Sequence, residues 1–411
     1  MKFVARLAVF GLCLVATAAQ ARPVYEVKAS FDAAHKLSAD VTITLPPGDM
    51  AKEIEFVLSN RFVLKPVRVA GPARVAIGKT ARPMRGLTSI RVIPRGTPAQ
   101  AVVVRLIYAG PIDSAGSDFF SPGLIELSLE AGWIPFRSDL TLDYAIDARI
   151  AGIPAGMDVV SQGKVSREKD GMVAIHRGYA DVDLPIIAVP GLKHEDKDGL
   201  DFAAANPSDP LVALMKMHAA GAARFYADLL GPATYAPIRM TIVPREASGG
   251  YARAGFVVMP DFRKPGAPTP DYDESSPARF VAHEIFHAWR PGFSSDYANY
   301  WMSEAYAEFY GLRYVESRLG LAERQKMLDR KRPALATAGP LITPGKRPGN
   351  AAMYQKGAVM LFDLEQDIGR PALDTLLTGP DAPRTTAGLL KAMNAVAGAA
   401  RTAAFEHALT H

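Results

Sequence analysis

Two periodicities divide the chain. From Arg22 to about Pro190, apolar and polar positions alternate over short runs: Val41–Leu45, Glu53–Leu58, Ser89–Ile93, Ala101–Tyr108, Leu124–Leu129 and Leu140–Ile146. These runs are rich in Val, Ile, Leu and Thr and are separated by Gly, Pro, Asp and Ser, so each predicts a strand. A succession of such strands predicts an antiparallel β-sandwich. From about Asn206 the period lengthens. Asp209–Leu230 carries Leu211, Leu214, Met215, Ala219, Ala222 and Tyr226 at helical spacing, and longer helical stretches follow over Pro277–Trp289, Trp301–Leu319 and Asn350–Gly369. Two strand patterns, Pro237–Pro244 and Gly255–Met259, lie between them. The Pro/Gly-rich stretches 261–270 and 338–349 read as surface loops. The expected class is α+β, with a β-rich amino-terminal domain over 22–195 and a mainly helical domain over 196–411.

The first 21 residues stand apart from both patterns. Lys2 and Arg6 precede an apolar run from Leu7 to Ala16, and Ala19-Gln20-Ala21 closes it. A basic start, a short apolar centre and an Ala-x-Ala finish predict a secretory signal peptide and an exported protein, periplasmic or secreted. The apolar run falls short of the roughly 20 residues that span a bilayer, so no stable membrane insertion is expected after cleavage. The chain has a single cysteine, Cys13, inside this segment. The mature protein therefore has no disulfide and no cysteine metal ligand, and any metal must be held by His and carboxylates.

Composition narrows the partners only slightly. The formal charge of +5 over 411 residues is spread along the chain, with no basic stripe interleaved with aromatics, so no nucleic-acid partner is expected. Hydrophobic residues make up 49% of the chain, enough for large cores. Oligomeric state is not legible.

Chemistry concentrates in the helical half. Phe280 to Trp289 contains His283-Glu284-Ile285-Phe286-His287, a His-Glu-x-x-His pattern. Residues four apart share one face of a helix, so both imidazoles can reach one metal ion, with Glu284 close to a metal-bound water. The next helix carries Glu304 within Trp301-Met302-Ser303-Glu304-Ala305-Tyr306-Ala307-Glu308-Phe309. An antiparallel return would bring that carboxylate beside the histidines. Two His and one Glu leave a fourth position open, the arrangement of a catalytic zinc site. Glu304 and Glu308 sit in an otherwise apolar, aromatic helix, where a charge needs a partner. Glu308, one turn beyond Glu304, can accept a hydrogen bond from the far nitrogen of a ligand histidine. An exposed Glu at a helix edge is the competing reading.

These residues carry a resemblance. His283-Glu284-x-x-His287-Ala288-Trp289 followed by Trp301-Met302-Ser303-Glu304-Ala305-Tyr306-Ala307 is similar to the gluzincin metallopeptidases, and most resembles the aminopeptidase N and glycyl aminopeptidase families. Tyr354-Gln355-Lys356-Gly357 is similar to the Tyr-x-Lys-Gly of both families, and Trp133-Ile134-Pro135 fits their β-domain. The resemblance implies a β-domain followed by a thermolysin-like zinc-peptidase domain. It also implies one zinc ion on His283, His287 and Glu304, Glu284 as general base, and Tyr354 as donor to the oxyanion. The chain departs from the pattern at one place. Where those families carry a glutamate that holds the substrate's free amine, Gly249-Gly250-Tyr251-Ala252-Arg253-Ala254-Gly255 aligns Ala252. A neutral side chain cannot pair with an ammonium group, so exo or endo preference stays open. Gly249, Gly250 and Arg253 are the candidate substrate-binding residues, Arg253 for an acidic group.

The expected activity is hydrolysis of peptide bonds. A zinc hydrolase of the same fold acting on a non-peptide amide, and a non-catalytic zinc-containing binding protein, remain as alternatives. Intact Glu284 and Tyr354 argue against the last, since a structural zinc site needs neither.

Overall fold

The computed structural model describes residues 22–79, 86–96, 99–112, 119–140, 144–179, 181–197, 199–245, 249–261, 273–289, 297–379 and 381–411. The expected signal segment, Cys13 and most of the 261–270 loop lie outside them.

The amino-terminal half is β-rich and the carboxy-terminal half mainly helical. Alternation builds the first half. In Val24–Phe31, Tyr25, Val27, Ala29 and Phe31 point inward, and in Lys36–Leu45 so do Leu37, Ala39, Val41, Ile43 and Leu45. These strands form the middle of an eight-stranded sheet that runs from Lys164–Arg167 to Val63–Leu64. Its inner face shares a core with Phe56, Leu58, Ile90 and Val92 of a four-stranded sheet. Trp133 is buried between them. Its Nε1 donates to the Leu184 carbonyl at 3.0 Å, while its own carbonyl accepts from Tyr108 Oη at 2.6 Å. A wholly antiparallel arrangement was expected, and one pair departs from it: Val24–Ser30 runs parallel to Ala145–Ala151. Parallel strands need a long crossover, and here most of the half intervenes between the two, so no local turn signal announces the pairing.

In the second half, Lys193–Lys197, Leu200–Ala204, Ile238–Val243, Phe256–Pro260 and Tyr251–Arg253 form a five-stranded sheet in that order. Its three central strands are parallel, and the short edge strand Tyr251–Arg253 is antiparallel to its neighbour. Helix α1 (Pro210–Leu230) starts where Asp209 caps it, accepting from Leu211 N at 3.0 Å and Val212 N at 3.2 Å. The other helices are α2 (Ser275–Phe286), α3 (Tyr297–Leu319), α4 (Leu321–Lys331), α5 (Ala334–Thr337), α6 (Gly357–Ile368), α7 (Arg370–Thr378), α8 (Thr386–Ala397) and α9 (Ala399–Thr410). Among the described residues no helix is long and apolar enough to cross a membrane.

Two glycines set how closely the site helices approach. A Cβ at Gly311 of α3 would stand 3.1 Å from the Arg279 carbonyl oxygen of α2, and a Cβ at Gly357 would stand 2.7 Å from Ala305 Cβ. Larger side chains would push α3 away from α2 on one side and from α6 on the other. The halves meet in a shared core. Leu124, Val160, Ile187, Val189 and Leu192 pack with Ala203, Val243, Phe256 and Val258, and Tyr251 lies against them.

Candidate metal centre

Helix α2 ends inside the His-Glu-x-x-His pattern: His283 and Glu284 lie in its last turn and His287 is its carboxy-terminal cap. Ligand atoms of His283, Glu284 and His287 all lie within 4.8 Å of one another. Helix α3 returns beside α2 and sets Glu304 Oε2 3.3 Å from His283 Nε2. The other nitrogen of that ring, Nδ1, is 3.1 Å from Glu308 Oε2. One imidazole is thus clasped by two carboxylates a helical turn apart.

Glu308 is fully buried rather than at an exposed helix edge. Its charge is met by Arg279 at 2.7 Å and Lys331 at 2.6 Å. Sequence reasoning missed both cations. Arg279 precedes His283 by one turn on the same face of α2 and had a readable signal. Lys331 ends α4, and nothing local ties it to the site.

Tyr354 lies in a π-helical turn, Ala352–Lys356, immediately before α6. The wider turn and the close crossing at Gly357 bring its ring centroid to 5.5 Å from that of His283. The Glu304 carboxylate lies close enough for its charge to act on the Tyr354 hydroxyl.

The electrostatics follow from burial around so many carboxylates. Burial alone would lower the His283 pKa, but hydrogen bonds to Glu304 and Glu308 outweigh it and raise it to about 10. Burial lowers His287 to about 4, so this ring is neutral near pH 7. Burial pushes Glu284 up to about 7, with the Glu304 charge adding to the effect and His283 opposing it. For Glu304, burial is outweighed by the hydrogen bond from His283 and the nearby imidazoles, which bring it down to about 2. Burial, together with the Glu304 and Glu284 charges, holds Tyr354 far above its ordinary value and therefore protonated.

This donor set fits a divalent cation. Arg279 and Lys331, which stand beside the cluster, both pair with Glu308. Among the described residues, no Lys or Arg forms an ion pair with Glu304 or Glu284. Among these residues Glu304 is in ion-pair contact with His283 alone, whose proton a metal ion would replace. Two imidazoles and a carboxylate with a further position free are the ligands of a catalytic zinc ion.

The candidate substrate-binding residues lie along the edge strand beside this cluster. A Cβ on Gly250 would stand 3.3 Å from Glu284 Oε1, so the strand runs directly past the carboxyl group. The Gly249 carbonyl accepts from Arg245 at 2.8 Å. Arg253 turns away from the role considered for it. Its guanidinium is buried and grips Asp183 of the β-rich half with both arms, Nε to Oδ1 at 2.6 Å and Nη2 to Oδ2 at 3.0 Å. Asp181 accepts from Ala254 N at 2.6 Å and Gln162 donates to the Ala254 carbonyl at 3.3 Å, so the β-rich half fixes the carboxy-terminal end of the edge strand.

The fold matches those of M1 zinc metallopeptidases. That of Deinococcus radiodurans superposes with a TM-score of 0.64 at 19% identity, over 95% of this chain and 92% of that one. A mutant of the Deinococcus radiodurans enzyme bound to a Tyr-Ser-Ala substrate gives 0.64 at 20% identity, over 95% of both chains. Native yeast LTA4 hydrolase gives 0.66 at 13% identity, over 93% of this chain and 66% of that one. No family model and no curated protein sequence matches the chain. At these identities the likeness is one of fold. It extends along nearly the whole described length and agrees with the resemblance carried by the three motifs.

Proposed function

We propose that the chain is a zinc-dependent metallopeptidase that holds one zinc ion on His283, His287 and Glu304. The observation that carries this reading is the close approach of two imidazoles and Glu284, with Glu304 against the His283 ring and no Lys or Arg paired with either carboxylate among the described residues. Bound there, zinc supplies Lewis-acid polarisation of the scissile carbonyl and a water acidic enough to react near neutrality.

The chain's own residues do the rest. Glu284, unpaired with any Lys or Arg among the described residues, takes the water's proton and passes it to the leaving amine. Tyr354 donates its O–H to the carbonyl oxygen as negative charge builds there; one such donor is typically worth about 2.7–4 kcal/mol. Glu308, held by Arg279 and Lys331, fixes the His283 ring from behind so that Nε2 faces the metal position. The edge strand from Gly249 to Arg253 offers backbone hydrogen bonds to an extended peptide. The helical half is the thermolysin-like catalytic unit over 196–411, and the 22–195 half is a β-sandwich that braces the edge strand. The pattern of residues 1–21 supports export to the periplasm or beyond.

The test uses the purified protein with its zinc quantified, incubated with a mixed peptide library and read by mass spectrometry. One zinc per chain and discrete cleavage sites are expected, with Glu284→Gln keeping the zinc and losing cleavage. Undiminished cleavage by that variant removes Glu284 from the mechanism. Zinc bound with no peptide cut by the unaltered protein overturns the peptidase reading.

A further inference from the structure

The 338–349 segment reads in sequence as a surface loop, yet it is tied down on both sides of one residue. Leu341 N and Ile342 N both donate to the Leu409 carbonyl at 2.9 Å. A tight turn closes from Lys346 N to the Thr343 carbonyl at 3.1 Å, and Pro348 is buried. Between these anchors stands Arg347, with its side chain exposed and its Cζ 5.0 Å from the ring centre of Tyr300. Tyr300 lies on α3 one turn before Glu304, so its ring lines the approach to the metal position. The charge of Arg347 falls on Tyr354 and Glu304. Among the described residues Arg347 forms no ion pair, in contrast to Arg253, whose charge is taken up by Asp183. On the strand side, Ala252 leaves no carboxylate at that position to meet an ammonium group. Arg347 is therefore a cation at the mouth of the site with no carboxylate of the chain in ion-pair contact among the described residues.

We propose that Arg347 receives a carboxylate of the substrate, so that the site selects peptides carrying a negative charge close to the scissile bond. One helical turn rises about 5.4 Å and an extended residue spans about 3.5 Å, so the charge sits within about two residues of the reacting carbonyl. A guanidinium over an aromatic ring keeps donors free to pair with a planar carboxylate, and its fork matches the two carboxylate oxygens. The α-carboxylate of a very short peptide and an acidic side chain offer the same chemistry. This inference rests on the peptidase reading.

Binding and turnover separate the two. The zinc-loaded Glu284→Gln protein is titrated calorimetrically with a short peptide as free acid, as its amide, and as an amide bearing Glu after the scissile position. The free acid is expected to bind at least about tenfold tighter than the plain amide, as a charge-assisted hydrogen bond implies. The Glu-bearing amide shares that gain if a side chain serves and lacks it if only the terminus does. Adding Arg347→Gln should abolish the discrimination, Arg347→Lys should keep part of it, and Lys346→Gln on the same turn should leave it intact. Arg347 is exposed, so these variants should fold as the parent does. Equal binding of acid and amide, or discrimination that survives Arg347→Gln, overturns the proposal, while cleavage of either peptide by the unaltered protein keeps the peptidase reading. If nothing is bound and nothing is cut, both fall.

Discussion

Two buried ionic clusters, one at the metal helices and one at the junction between the halves, are built from the same residue types and do opposite things. At the junction the charges close on one another. Arg253 is spent on Asp183, and Arg245 stands 3.0 Å from Glu126 with both side chains buried. At the metal helices the arrangement is left open. Glu308 is saturated by Arg279 and Lys331, while Glu284 stands beside His283 and His287 with no Lys or Arg on it among the described residues, and Glu304 is met only by the His283 ring. Residue type does not tell a site from a brace; unspent charge does. The same distinction separates Arg253 from Arg347.

The sharpest way to break this comparison is Glu308→Gln. It leaves Arg279 and Lys331 facing each other without a counter-charge, and breaking a buried pair in this way costs about 3–5 kcal/mol. It also frees the His283 ring, so zinc affinity should fall about 10–100-fold, read by competition with a chelator. Unchanged zinc affinity would show that the clasp does not orient the ring.

Asp183→Asn tests the other cluster. The buried Arg253 loses its counter-ion, and about 3 kcal/mol of stability should go with it, measured by denaturant unfolding. Zinc affinity should stay as in the parent. A fall like that of the Glu308 variant would mean that the two clusters act as one and that the contrast drawn between them is false.

Glu126 leaves the metal site untouched and gives a pH signature. Burial, against the opposing Arg245 charge, raises its pKa to about 7 from an ordinary 4.5. The folded protein then holds a proton that the unfolded chain releases, so this group's contribution to stability falls as pH rises from about 4.5 to about 7. The full loss is on the order of 3 kcal/mol. Glu126→Gln removes that titration, and its stability should vary less than the parent's between pH 5 and pH 8. Parallel curves would rule Glu126 out as the source.

Local chemistry was legible in the sequence and long-range pairing was not. Helix α1 appears where the spacing from Leu211 to Tyr226 puts it, bounded by its Asp209 cap. His283, Glu284 and His287 follow from one turn of helix, and Glu304 from the next helix returning. The parallel pairing of Val24–Ser30 with Ala145–Ala151 depends on strands joined only through the fold. The same holds for Asp183 on Arg253 and Lys331 on Glu308, where neither partner carries a sign of the other. Arg347 lay in a stretch whose Pro and Gly content marked it as loop, and composition cannot say that a loop is pinned.

The shared core between the halves bears on how this enzyme can be taken apart. A fragment starting at residue 196 would carry Ala203, Val243, Phe256 and Val258 as a bare greasy wall, and its complement would carry the matching Leu124, Val160, Ile187 and Val189. Each would clump on its own. The catalytic unit is therefore not portable: a designer who wants a smaller version must repaint that wall with polar residues and find a new brace for the strand beside Glu284, or keep the β-rich half as a permanent chaperone in cis.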